Sequence, residues 1–137
     1  MFKFQADLTN LLNRYIGKEH QFGQNDCNIL IADYLDTFCS TNYLSQLKGQ
    51  YTSIKEGLSC CKELTGFHNV LEACEKHLVR SEQIKDGSVL LIKKELKKRV
   101  YYIATVVFNN KALVEHENYY TLVDVQPEQY ELVFNRS

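Results

Sequence analysis

Cys27 is the residue of this chain whose type and setting best suit nucleophilic chemistry. It follows Asn25-Asp26, two residues that cap helices, and precedes Ile29, Leu30, Ile31, Tyr34, Leu35 and Phe38, the apolar stripe of a helix. The thiol is thereby predicted to sit in a first helical turn. Unpaired backbone N–H groups and the helix dipole favour anions at that place, so the sequence predicts a stabilised thiolate, the attacking form of cysteine. The structural alternative is a small apolar plug at the helix start, because free cysteine is among the most buried residue types. An active thiol also needs a base within hydrogen-bond reach.

The remaining cysteines offer less. Cys60-Cys61 and Cys74-x-x-His77 supply four potential zinc ligands, but adjacent cysteines on a helix point about 100° apart. Cys61 and Cys74 also fall on apolar stripes, where core packing is the natural role. His68, near a helix start, reads as a surface or capping residue. Neither a metal nor a cofactor is expected.

Elements must hold Cys27 in place, and composition bounds what they can be. A chain of 137 residues is long enough for one core and too short for two, so residues 1–137 are taken as a single domain. The net charge of −1 gives no global attraction to nucleic acid or anionic lipid. The basic run from Lys93 to Arg99 reads as a solvated loop between two strand-like segments. Five cysteines in no framework spacing point to a reducing compartment, and Met1 to Asp7 lacks the basic and apolar regions of a signal peptide. No segment approaches the ~20 apolar residues of a membrane span.

The first half of the chain reads as helices. Phe4, Leu8, Leu11, Leu12, Tyr15 and Ile16 keep helical spacing, with Gly17 as the stop. The Cys27 helix ends near Cys39-Ser40, Ser53 and Glu56 open a third as a capping box, and Gly66 closes it. Phe67, Val70, Leu71, Cys74 and Leu78 mark a fourth. After the Asp86-Gly87 turn the pattern changes to strands: Val89–Ile92, Tyr101–Phe108, Ala112–Val114 beyond an Asn109-Asn110 turn, Tyr119–Val125 and Tyr130–Phe134. Helices first and an antiparallel sheet after them predict an α+β fold.

On Phe22-Gly23-x-x-Asp26-Cys27, Ile31-Ala32-Asp33 and Gly49-x-Tyr51, the chain resembles NlpC-type papain-fold domains, and in particular a short phage and prophage branch found in tail-tip gene clusters. The resemblance spans about residues 20 to 125 and implies a papain-like fold with a nucleophilic cysteine at a helix N-terminus. It also implies a catalytic histidine on the strand before the Asn109-Asn110 turn and an orienting residue on the strand after it. Those positions carry Tyr102 and Val114, and Gly87-Ser88-Val89 stands where the family has Gly-Asp-Val. A phenol with pKa near 10 is a poor base at neutral pH, and valine orients nothing by hydrogen bonding. His116 lies two residues past Val114 on the same strand face, about 6–7 Å further along, and is the imidazole that a bulge or shifted register could bring to Cys27. His20, in the loop before the motif, is the other.

Three functions follow from these observations. The first is a structural and assembly part of a phage tail tip on a scaffold that has lost its chemistry, made in the host cytoplasm and carried in the virion. Its partners would be other tail proteins, with neither nucleic acid nor a membrane span involved, and an oligomer within the tail is compatible with it. The second is a cysteine hydrolase acting on peptidoglycan peptides, with Cys27 as nucleophile and His116 as base. The third is a cytoplasmic protein-binding domain. For an assembly part, Tyr119, Tyr120, Tyr130, Phe134, Tyr43 and Tyr51 are expected as exposed contact residues.

Overall fold

The computed structural model describes residues 2–136, with Phe2 described through its backbone only. Five helices come first: α1 (Phe2–Asn13), α2 (Cys27–Phe38), α3 (Leu44–Leu47), α4 (Ile54–Thr65) and α5 (Val70–His77). Six strands follow: β1 (Val79–Ser81), β2 (Val89–Leu96), β3 (Arg99–Phe108), β4 (Lys111–His116), β5 (Tyr119–Asp124) and β6 (Leu132–Asn135). The strands form one sheet in the order β1-β6-β2-β3-β4-β5, with every pairing antiparallel. This is the α+β architecture that the change of periodicity predicts. None of the described helices is long and apolar enough to cross a membrane.

Caps and turns account for the element boundaries. Asp26 caps α2 by accepting from Ile29 N–H. Ser53 caps α4 by accepting from Glu56 N–H, while the Glu56 carboxylate reaches back to Thr52 rather than to Ser53. Gly66 ends α4 with φ +86°, a left-handed conformation that suits glycine. Asn69 caps α5, which therefore begins three residues later than the apolar pattern from Phe67 suggests.

The core lies between the helices and the sheet. Leu8, Leu11 and Leu12 of α1, Leu30, Ile31 and Leu35 of α2, and Cys74 of α5 pack with Val89 and Leu91 of β2, Ala104 and Val106 of β3, and Phe134 of β6. Val89/Leu91 and Ala104/Val106 are alternate residues of their strands, so they share the face turned to the helices. Tyr34 crosses this layer and donates its hydroxyl to Gly87 O at 2.6 Å, fixing α2 to the turn before β2.

Two expectations fail here. The run from Lys93 to Arg99 is not a loop: β2 and β3 stay paired to Leu96↔Arg99, and only Lys97 and Lys98 form the turn. Backbone pairing with a β-branched and aromatic neighbour outweighs the poor strand propensity of lysine and glutamate. Three of the proposed contact aromatics, Tyr51, Tyr120 and Phe134, are buried. Tyr51 and Tyr120 fill the space between helices and sheet, and Phe134 alternates inward on β6. Tyr119 is exposed, and Tyr43 and Tyr130 are half-buried.

Candidate functional site

The motif around Cys27 folds into a knot centred on a buried carboxylate. Asp26 is 4 % exposed, and its Oδ1 accepts from Ile29 N–H at 3.1 Å and from the Tyr51 hydroxyl at 2.9 Å. Its Oδ2 accepts from Gly23 N–H at 2.6 Å. Gly23 has φ +80°, and a Cβ there would stand 2.1 Å from Tyr51 O, so no other residue fits this approach. Gly49 N–H closes the knot by donating to Gly23 O at 2.7 Å. The Tyr51 ring lies against Gly57 of α4, where a Cβ would meet it at 2.9 Å. Asp33, about two turns further along α2, accepts from Arg14 Nε and Nη2 and from the Tyr15 hydroxyl, tying α2 to the turn that follows α1. Aromatic-Gly-x-x-Asp-Cys, Ala-Asp and Gly-x-Tyr are thus parts of one scaffold, which sets where α2 begins.

Cys27 is the first residue of α2, as the sequence predicts, and its Sγ–H points at Tyr102 O on β3, 3.8 Å away. The thiolate expectation fails. Burial and, next, the Asp26 carboxylate push the thiol up from its ordinary 9.0 to about 12, against the smaller opposing pull of the Ala104 backbone N–H. A dipole at a helix start is worth about 1 kcal/mol, less than desolvation beside a fixed negative charge. The thiol is held protonated.

A cavity of about 410 Å³ opens beside it. The cavity lies where the sheet splits: β3 and β4 are paired only at Val107↔Ala112 and Phe108↔Lys111, and they separate beyond. Cys27 of α2, Leu58 of α4 and Tyr51 of the segment between α3 and α4 line it on one side, Tyr102 and Thr105 from β3 and Val114 and Glu115 from β4 on the other. Most of its wall is aliphatic or aromatic, with Asp26, His20, Lys94 and Glu115 as the lining groups able to carry or share charge.

The structure therefore brings Cys27, Tyr102 and Val114 to one cavity, and it adds His20 from the loop after α1. His20 is 17 % exposed, meets Phe22 edge-on with ring centres 4.7 Å apart, and has its Nδ1 3.7 Å from Glu115 Oε1. His116 is exposed at the far end of β4, opposite Tyr119, and is not part of the cavity wall. The pairing of His20 with Glu115 across ninety-five positions left no signal in the sequence. The Asp26–Tyr51 bond was foreshadowed only by the presence of both residues in separate motifs of the same family resemblance.

The other cysteines and histidines are not part of the cavity wall. Cys61 and Cys74 are buried, and Cys60 Sγ–H donates to Gln50 O at 3.4 Å. His77 Nε2 lies 2.7 Å from the Tyr43 hydroxyl, and His68 lies beside Glu72 on the surface. Among the described residues, no three His, Cys, Asp or Glu side chains are gathered as metal ligands would be.

Neither a curated protein nor a solved structure matches the chain. Residues 2–135 match a family described as a domain of unknown function (DUF6950), which covers every element described above. The chain belongs to that family.

Proposed function

We propose that this protein is a non-catalytic assembly part of a phage tail tip, built on a papain-like, NlpC-type fold whose cysteine no longer does chemistry. The observation that carries the proposal is the state of Cys27. Its thiol donates to a backbone carbonyl instead of an imidazole, and burial beside Asp26 keeps it neutral. A papain-type nucleophile needs the opposite, a thiolate paired with an imidazolium. The helix–cysteine–sheet order supports the papain-like relationship, and Tyr102 and Val114 at the cavity support the loss of base and orienter. The tail-tip setting rests on the resemblance of the Cys27 motif, and the partners would be other tail proteins.

One observation favours a second function. His20 shares the cavity with Cys27 and has Glu115 beside it, the ingredients of a base and its orienting carboxylate. In that case a peptidoglycan peptide would be the substrate, His20 would take the thiol proton, and Cys27 would attack the amide carbonyl.

Alkylation separates the two. A thiol held near 12 rather than 9.0 carries on the order of a thousandfold less thiolate at pH 8. Iodoacetamide should therefore modify the Cys27 peptide far more slowly in the native protein than in the urea-unfolded chain, as read by mass spectrometry. In the phage, Cys27→Ala particles should assemble and infect normally, whereas deletion of the gene should abolish complete tails. Rapid native alkylation at pH 6, or Cys27→Ala particles that assemble but fail to cross the cell wall, would overturn the proposal in favour of the hydrolase.

A further inference from the structure

The β2–β3 hairpin outruns the rest of the sheet. Strand β6 pairs with β2 only from Val89 to Leu91, and β4 pairs with β3 only at Val107 and Phe108. The β2–β3 register nonetheless continues to Leu96↔Arg99. From Ile92 to Ile103 the hairpin is a two-stranded arm, with no third strand on either edge among the described residues.

This arm concentrates the positive charge of the protein. Lys93, Lys94, Lys97, Lys98 and Arg99 are all exposed, and no salt bridge among the described residues involves any of them. Glu95 is the only carboxylate of the arm, so five cations less one anion leave it at +4. The whole chain carries −1, and the remainder therefore carries −5. Three aliphatic side chains stand exposed among these cations: Leu96 at 39 %, Val100 at 40 % and Ile103 at 39 %. Leu96 and Ile103 share a face with Tyr101, by alternation along the two strands.

Lysines along a free edge protect it from pairing with other chains, which accounts for Lys93 and Lys94. Edge protection does not account for the turn. Lys97 and Lys98 have φ of +49° and +69°, the positive pair of a type I′ turn, in which Asn-Gly is the low-energy choice. The other two-residue turns of this sheet use Asn109-Asn110 and Glu117-Asn118. Only the arm sets lysine at both left-handed positions, a strained choice that puts two charges at its tip.

The geometry points to the arm as a docking element for an acidic protein segment that also carries aliphatic side chains. The partner's apolar residues cover Leu96 and Ile103, and its carboxylates pair with Lys94 and Arg99 of the same face and with Lys97 and Lys98 at the tip, while Val100 lies on the other face. Charge complementarity selects the partner's sign, and the interleaved aliphatics select protein over nucleic acid, whose phosphates make no use of them. A duplex extending past the arm would also meet a body of charge −5. The inference deepens the assembly function by naming the chemistry of a partner. Its test leaves Cys27 untouched, so the two proposals fail separately.

The probe is a fluorescein-labelled peptide of about ten residues alternating Glu and Val, a typical strand length. Its counterpart has Gln for Glu, and a duplex DNA oligonucleotide serves as the polyanion control. With the full-length protein, fluorescence anisotropy should show the Glu peptide binding about tenfold more tightly than the Gln peptide, and losing that advantage as salt rises. The variant Lys97→Asn/Lys98→Gly should weaken binding about fivefold while its melting temperature holds or rises, because Asn-Gly suits the turn better than lysine does. A purely structural turn would move stability and leave binding alone. Equal affinity for the two peptides, no binding of either, preference for the duplex, or a variant that binds like the parent would each overturn the inference. Any of these alongside an unreactive Cys27 would leave the assembly function standing.

Discussion

Asp26→Asn perturbs the knot that seats Cys27 without changing its volume. The native carboxylate accepts from three donors, two at Oδ1 and one at Oδ2. An amide has one oxygen, so in either orientation its NH2 group faces at least one buried donor. If the oxygen stays at Oδ1, Gly23 N–H is left without an acceptor. If the amide flips, Ile29 N–H and the Tyr51 hydroxyl are. A buried unpaired donor costs about 1–3 kcal/mol, and exchanging charged for neutral acceptors weakens the remaining bonds, for a total of roughly 3–5 kcal/mol. That is a large share of the ~5–15 kcal/mol that holds a domain together. With a urea slope of roughly 1–3 kcal/mol per molar, the unfolding midpoint should fall by about 2 M. Far-UV circular dichroism is the assay, since the chain has no tryptophan. Tyr51→Phe removes one donor and leaves the carboxylate its other two, so the loss should be about 1.5–3 kcal/mol. The double variant should cost less than the sum, because the two single changes break the same bond. A midpoint shift under about 0.5 M for Asp26→Asn, or strict additivity, would refute the network described here.

Gly23→Ala should lose more than about 3 kcal/mol or fail to fold, because the methyl meets the Tyr51 carbonyl at a backbone that glycine alone adopts freely. Gly49→Ala is the matched control: its φ is +81°, but the nearest atom is Gln24 Nε2 at 3.9 Å, so roughly 1 kcal/mol should be lost in the same urea titration. Stability should also fall in alkali. Cys27, Cys61 and Cys74 are each pushed up to about 12 by burial, and a raised folded-state pKa gives stability that is complete below the ordinary 9.0 and is lost as pH climbs from 9 towards 12. Urea midpoints measured between pH 8 and 10.5 should decline, and Cys27→Ala should make the decline shallower.

What the sequence made legible was local. The start of α2, the Ser53 cap, the Gly66 stop and the Asn109-Asn110 turn each depend on residues within about four positions of one another, and each stands where its chemistry requires. The arm was missed because Lys-Lys is not a turn signal and the strand character of residues 93–96 comes from their partners on β3. Strand β1 was missed for the same reason, being three residues defined by β6. At the site, the dipole argument for Cys27 rested on local sequence alone. It lost to burial against β3 and to Asp26, whose carboxylate the same cap places beside the sulfur. His116 carried the hope of a base because strand spacing relates it to Val114, yet no spacing rule reports that β4 leaves β3 after two residue pairs. That splay is a tertiary property, and it put His20 at the cavity instead.

The β4–β5 hairpin, having parted from β3, finds its partner in the loop that follows α1. Gly17 N–H donates to Tyr120 O, Tyr120 N–H to Lys18 O, and His20 N–H to Asn118 O, at 2.7–3.0 Å. Each of these bonds closes a loop of about a hundred residues, so it forms late and at a high entropic cost. During synthesis, residues 17–20 must wait for these partners until β5 has emerged from the ribosome. Folding of this chain is therefore predicted to be slow and non-local despite its helical beginning, and Cys27 meets Tyr102 of β3 only late. The thiol should ionise and oxidise more readily in the nascent chain than in the finished protein, where it lines the cavity but is held protonated.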